Sequence, residues 1–203
     1  MGGADAPCDS ELSSPLRQSR TSNARQCEVS DVTTSTQART ILTYGNPILR
    51  QPARPVLAID GRLQQLIDEM VETMYAAPGV GLAANQVGSL QRVFVANPSE
   101  DRDPEKLLVL INPELAGVEG EIIAEEGCLS IPDFREEVRR ARRVLLRGLD
   151  RNERPVEVEG EDLLARVLQH ELDHLNGILF VDRLSPAKRD ILLRKLKKAF
   201  LPR

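Results

Sequence analysis

The chain has 203 residues, a formal charge of −4 and a pI near 5.4. That is long enough for one domain with a sizeable core, and too acidic overall for a general nucleic-acid binder. Aromatic residues make up 3% and Trp is absent, so base-stacking platforms and specific DNA contacts are not expected. No apolar run approaches the roughly 20 residues that span a bilayer, which excludes a helical membrane protein and a hydrophobic signal core.

Residues 1–39 are rich in Ser and Thr, lack periodicity and carry few large apolar side chains, so they read as a disordered amino-terminal tail. Their Arg and Ser content suggests organelle import, but Asp5, Asp9, Glu11, Glu28 and Asp31 dilute that signal, and a plain tail is the preferred reading. Cys8 and Cys27 lie in this tail and Cys128 in the globular part. Three cysteines so placed imply no disulfide framework, hence a reducing compartment, and the cytoplasm is the expected location.

Residues 40–203 read as a single catalytic domain of α+β class, with short antiparallel strands packed around a buried central helix. Order is expected from Thr40. Asp60 is placed to cap a helix reaching Tyr75, because Leu63, Leu66, Ile67, Met70, Val71 and Met74 recur at helical spacing. A breaker-rich loop follows over residues 77–86. Its G-x-G lacks the preceding strand a dinucleotide site needs, so Gly79 and Gly81 read as points of close backbone approach, with Gln86 a neutral amide donor nearby.

Val93–Ala96 and Leu107–Ile111 read as strands, the second ending at Asn112-Pro113. Residues 121–124 lead as a strand into the turn around Cys128. Residues 138–149 and the stretch around Val156 and Val158 suggest a hairpin across Asp150-Arg151-Asn152, its arginines forming a solvated face. The central helix runs from Asp162 to Leu175, and Ser185-Pro186 opens a last helix toward Phe200.

The central helix carries His170-Glu171-Leu172-Asp173-His174. A spacing of four brings both imidazoles onto one helical face, where they can reach one divalent ion, while Glu171 beside them is better placed to carry protons than to ligate. These are the chain's only two histidines, so a third ligand must carry sulfur or oxygen. Zinc proteases that finish the site downstream need a Glu or His there. No Glu follows Glu171, no His follows His174, and Phe180 stands where a metzincin pattern has its last His. Cys128 is the remaining soft candidate. With two imidazoles it leaves a fourth position open, the arrangement of a catalytic metal.

Three blocks together resemble the peptide deformylase family. Residues 79–86 (GVGLAANQ) are similar to its G-x-G-L-A-A-x-Q, residues 126–130 (EGCLS) to its E-G-C-L-S, and residues 169–174 (QHELDH) to its Q-H-E-x-D-H. The order of the blocks matches as well, and the resemblance runs from about Thr40 to the carboxyl terminus. It implies removal of the formyl group from the initiator methionine of nascent N-formylmethionyl peptides. Cys128, His170 and His174 would hold one ion per chain, natively Fe(II), with zinc, nickel or cobalt able to substitute. Glu171 would be general base and acid, and the Gln86 side chain and Leu129 backbone N–H would face the developing oxyanion. Val80, Leu163 and Val167 would line the methionine pocket, and backbone groups near Val80, Gly81 and Gly127 would pair with the peptide as an added strand. Between Ser185 and the carboxyl terminus, seven cations face one acid, Asp190. The resemblance suggests that this basic helix contacts the ribosome.

Two other readings compete. In a thiol hydrolase Cys128 would be the nucleophile, but that needs one base and leaves the second histidine without a role. A non-catalytic peptide-binding module would need neither the donor triad nor Glu171.

Overall fold

The computed structural model describes residues 37–99 and 101–201. The tail expected over residues 1–39 therefore lies almost wholly outside the described residues, as do Cys8, Cys27 and Arg203. Of that stretch, Arg39 is tied to the first helix by its backbone N–H to Thr73 Oγ1 at 2.8 Å and its guanidinium to Glu69 at 2.5 Å.

Helix α1 spans Gly61–Ala76, and the Asp60 carboxylate accepts from the backbone N–H of Arg62 and Leu63. Such a cap satisfies donors that a helix start leaves without intrahelical partners. Its apolar stripe packs on one face of a five-stranded antiparallel sheet of order β1-β2-β3-β6-β7. These strands are β1 (Gly81–Ala83), β2 (Val93–Ala96), β3 (Leu108–Glu119), β6 (Arg143–Leu149) and β7 (Pro155–Glu161); β4 (Ile122–Cys128) and β5 (Ile131–Arg140) form a separate two-stranded sheet. Helix α2 (Asp162–Leu175) covers the other face of the main sheet, and helix α3 (Pro186–Phe200) closes the β5 side.

Strand β2 shows how the layers are held. Val93 and Val95 point into the α1 cluster, Phe94 and Ala96 into the α2 cluster, and all four are buried. A strand with both faces covered reads as a continuous apolar run, as this one does. Each fully buried side chain of Val or Phe size contributes about 1.5–3 kcal/mol relative to exposure.

Several sequence expectations need correction. The glycine-rich segment is not all loop: Gly81–Ala83 pairs with Phe94–Ala96 as an edge strand, and Ala84–Val87 forms a 3-10 turn. Asn112-Pro113 does not end β3. Asn112 adopts φ 52°, a conformation Asn tolerates better than most residues, and its amide bonds both backbone groups of Val56; the strand bends there and pairs onward with β6.

The stretch 138–149 is two strands. Val138–Arg140 ends β5, and the chain breaks at Ala141-Arg142 before joining the other sheet as β6. The amide of Gln169 grips that break through the N–H and the C=O of Ala141. The hairpin across Asp150 is present as β6–β7. Ser185 stands at the start of α3 but makes no side-chain cap bond, and along the helix Leu192 and Leu196 are buried while Ile191 is 54% exposed. The arginines of this region are mostly solvated, with one exception: Arg140 is buried.

Candidate active site

Helix α2 delivers His170, Glu171 and His174, and the end of β4 delivers Cys128. One ligand atom from each of Cys128, His170 and His174 lies within 4.8 Å of the others. Cys128 Sγ is 3.2 Å from His174 Nε2, and the two imidazole centroids are 4.9 Å apart and edge-on. The expected triad is thus brought together by tertiary packing of two elements whose donors, Cys128 and His174, are 46 residues apart in sequence.

A carboxylate behind the histidine orients it. Glu126 Oε2 lies 3.1 Å from His170 Nδ1, which leaves Nε2 as the nitrogen free to ligate. Burial opposes the charged form of Glu126, yet hydrogen bonds from His170 and Arg140 outweigh it and bring its pKa down to about 2. Burial also opposes a charged His170, but hydrogen bonds to Cys128 and Glu126 raise its pKa well above the usual value. His174 goes the other way: burial, then the charge on His170, lowers its pKa well below the ordinary value. A thiol sulfur and two imidazole nitrogens within reach of one point form a donor set that fits a borderline or soft divalent ion.

Glu171 is 3% exposed, and its Oε2 has no hydrogen-bond partner among the described residues. Burial, aided by the like charge of Glu126 and opposed by His170 and Arg140, raises its pKa to about 7. A carboxyl group that titrates near neutrality is matched to giving and taking protons there. Gly81 makes room for it: a Cβ at that position would lie 2.4 Å from Glu171 Oε1. The close approach read from the glycine spacing is therefore to the carboxylate of α2.

Gln86 is buried, and its Oε1 accepts from Ala83 N–H at 2.9 Å. That bond fixes the amide so that Nε2 faces Ser130 Oγ at 3.2 Å and Cys128 Sγ at 3.7 Å. A cavity of about 660 Å³ opens over these groups. Gln86, Cys128, Leu129, His170 and Glu171 line it, and so do all five residues expected at the substrate pocket: Val80, Gly81, Gly127, Leu163 and Val167. His174 lies beneath, 1% exposed. Val80 and Leu163 are each 44% exposed, at the mouth of the cavity, while Val167 is buried.

Sequence reasoning missed a second group behind the metal donors. Arg140, 5% exposed, forks onto Glu126 at 3.0 and 3.1 Å and reaches Asp173 at 2.5 Å; Arg183 forks onto Asp173 from outside at 3.0 and 2.5 Å. A signal was present. Arg140 follows Val138 at the period of two that places both on one strand face, and Val138 is an obvious core residue.

A soft three-donor centre with a proton carrier beside it, at the floor of a cleft with apolar walls, is the arrangement of a metal-dependent hydrolase. Residues 38–190 match the family described as polypeptide deformylase. The peptide deformylase of Thermodesulfovibrio yellowstonii is 50% identical over 157 residues, covering 77% of this chain and 95% of its own. That of Alkalilimnicola ehrlichii is 53% identical over 160 residues, 78% of this chain and 88% of its own. The crystal structure of a peptide deformylase from Legionella pneumophila aligns with a TM-score of 0.74 at 46% identity, over 81% of this chain and 99% of that one. One from Synechococcus elongatus in complex with actinonin gives 0.74 at 40% identity, over 81% and 92%. The chain belongs to the polypeptide deformylase family, metal-dependent hydrolases that remove the formyl group from the amino-terminal methionine of nascent proteins.

Proposed function

We propose that this chain hydrolyses the formyl amide of N-formylmethionyl peptides through Glu171, with Cys128, His170 and His174 holding the ion. The observation that carries this reading is Glu171 itself, a buried carboxyl group with a pKa near 7 beside three donors that fit one metal. When bound, the ion supplies Lewis acidity that makes an adjacent water acidic enough to attack at neutral pH. Glu171 takes the proton from the attacking water as the C–O bond forms, and returns it to the methionine nitrogen as the C–N bond breaks. The products are formate and a free amino terminus. Gln86 Nε2, held by the Ala83 contact, and the Leu129 backbone N–H stabilise the oxyanion as it develops.

The methionine side chain enters between Val80, Leu163 and Val167, which line the cavity. Strands β1 and β4 are outermost in their sheets, each with a neighbour on one side only, so Gly81 and Gly127 lie on edges that can pair with an extended peptide. Val167→Asp therefore raises KM for formyl-Met peptides; an unchanged KM removes the pocket assignment.

The working ion in this reading is Fe(II), as the family resemblance implies. The thiolate and imidazole donors accept zinc, nickel or cobalt as well, and zinc binds such sites more tightly than iron. Metal analysis of anaerobically purified protein, paired with formate release from a formyl-Met peptide, tests ion and reaction together. Metal without turnover would favour a peptide-binding module, and turnover that survives chelation would favour a thiol mechanism.

The reading extends to the ribosome and to a cytoplasmic setting. No helix among the described residues is long and apolar enough to cross a membrane. On α3, Lys188 pairs with Glu137 and Arg189 with Asp182, whereas Arg194, Lys195, Lys197 and Lys198 have no ion-pair partner among the described residues. Those four cations suit RNA phosphates, and such binding weakens steeply with salt. Co-sedimentation with ribosomes at low and moderate salt, against a Lys195, Lys197 and Lys198 to Glu variant, tests the contact. Equal pelleting of the two proteins overturns it.

A further inference from the structure

Behind the metal donors runs a continuous line of charge-assisted hydrogen bonds: Arg183 to Asp173, Asp173 to Arg140, Arg140 to Glu126, and Glu126 to His170. Its members come from four segments, namely the 3-10 turn Phe180–Arg183, helix α2, strand β5 and strand β4. The side chains of Arg140, Glu126 and Asp173 are 3%, 6% and 7% exposed, and only Arg183, at 44%, reaches solvent. Arg183, Asp173 and Arg140 line a second cavity of about 700 Å³ that shares none of its α2 residues with the reaction cavity. At 3.6 residues per turn, Gln169, Leu172, Asp173 and Asn176 lie on the side of α2 away from Leu163, Val167, His170 and Glu171.

Burying three charges is a poor way to gain stability, because a buried ion pair seldom offsets its own desolvation better than apolar packing would. What the line does supply is geometry. Every oxygen of Glu126 and Asp173 has a guanidinium partner, so the Glu126 carboxylate cannot turn, and its Oε2 is held at His170 Nδ1. A point charge could neutralise Glu126, but only a planar fork fixes its plane. The hydrogen on Nδ1 is then committed to Glu126, and Nε2 is committed to the donor cluster.

We infer that Arg140 is a positioning residue of the metal centre, acting on His170 through Glu126, and that Arg183 anchors the line from the far side of α2 through Asp173. This rests on the assignment of Cys128, His170 and His174 as the metal ligands. Neither arginine lines the reaction cavity, so both act without touching substrate.

The test uses the full-length protein loaded with Zn(II) or Co(II), in wild-type form and as Arg140→Lys, Arg140→Met and Arg183→Gln. Metal stoichiometry of the wild type is read first: a chain that binds no ion overturns the ligand assignment and not this step alone. With the ion bound, Arg140→Met and Arg140→Lys are expected to lose zinc to a chelator about 10–100-fold faster than wild type, with Arg183→Gln between. Their Co(II)-thiolate visible bands shift, and kcat falls while KM for a formyl-Met peptide holds. Arg140→Lys recovers much of the melting temperature lost in Arg140→Met without recovering slow metal release, which separates positioning from mere stability. Wild-type release rates and spectra in both Arg140 variants overturn the inference, as do release rates that simply follow melting temperature. Should neither Arg140 variant fold, Arg183→Gln decides alone: unchanged zinc release and an unchanged cobalt spectrum overturn it.

Discussion

The two faces of helix α2 treat their carboxylates in opposite ways. On the reaction side, Glu171 is buried with one oxygen that has no hydrogen-bond partner among the described residues, and burial lifts its pKa to about 7. On the far side, Asp173 is just as buried, yet both its oxygens are held by arginines; next to it, Glu126 is saturated by Arg140 and His170 and stays ionised with a pKa of about 2. Two residues apart on one helix, the same functional group is left hungry in one place and satisfied in the other. An unsatisfied buried polar group costs stability, so a fold that keeps one beside three metal donors retains it for chemistry. The saturated carboxylates hold other side chains still.

That contrast breaks most sharply at Glu171 itself. Glu171→Ala is expected to keep its metal, since the three donors are untouched, and to lose about 10²–10⁴-fold in kcat. Metal content by elemental analysis beside formate release checks it. If the variant purified metal-free while Cys128→Ala stayed loaded, the roles of carboxylate and thiolate would have to be exchanged.

Much of this contrast was legible in the chain, and the part that was not has a physical reason. The helix bearing His170 and His174 was readable from its apolar period, and its observed limits Asp162–Leu175 agree with the expected ones. Asp60, a breaker before an amphipathic stripe, marked α1 in the same way. Strand β5 was harder. Over Ile131–Arg140 only Ile131, Val138 and Arg140 are buried, because a two-stranded sheet at the edge of the molecule is wet on most of its surface and leaves little apolar pattern. With β5 folded into a longer hairpin, Arg140 passed for a solvated arginine. Its burial follows from long-range pairing with Glu126 and Asp173, which no local period encodes, although the inward register of Val138 pointed to it.

The next step down is Gln86, which stands between the two regimes: its Oε1 is satisfied by Ala83, and its Nε2 is turned toward Cys128. Gln86→Leu keeps the volume and removes the donor. The expected loss is about 10²–10³-fold in kcat with KM little changed, the size measured when one oxyanion donor is deleted elsewhere. A loss confined to KM would make the amide a binding group instead.

The finest test compares two glycines on the edges of the cleft. A Cβ at Gly81 would lie 2.4 Å from Glu171 Oε1 and 2.9 Å from its Cδ, whereas one at Gly127 would meet Arg135 Cγ at 3.4 Å, on a side chain that is 72% exposed and free to move. Gly81→Ala must therefore push the Glu171 carboxylate or the β1 backbone by a substantial fraction of an ångström. Glu171 is packed on a buried helix, so the displacement falls on the proton carrier, and a misplacement of that size costs up to about 10²-fold in rate. Gly127→Ala asks only that a solvated arginine shift, and its effect on kcat should stay within a few-fold. Measured side by side, kcat for the two variants separates them while both melt as folded proteins. Were both to lose activity equally, the damage would lie in peptide pairing along the two strand edges, and the space beside Glu171 would no longer explain why residue 81 is glycine.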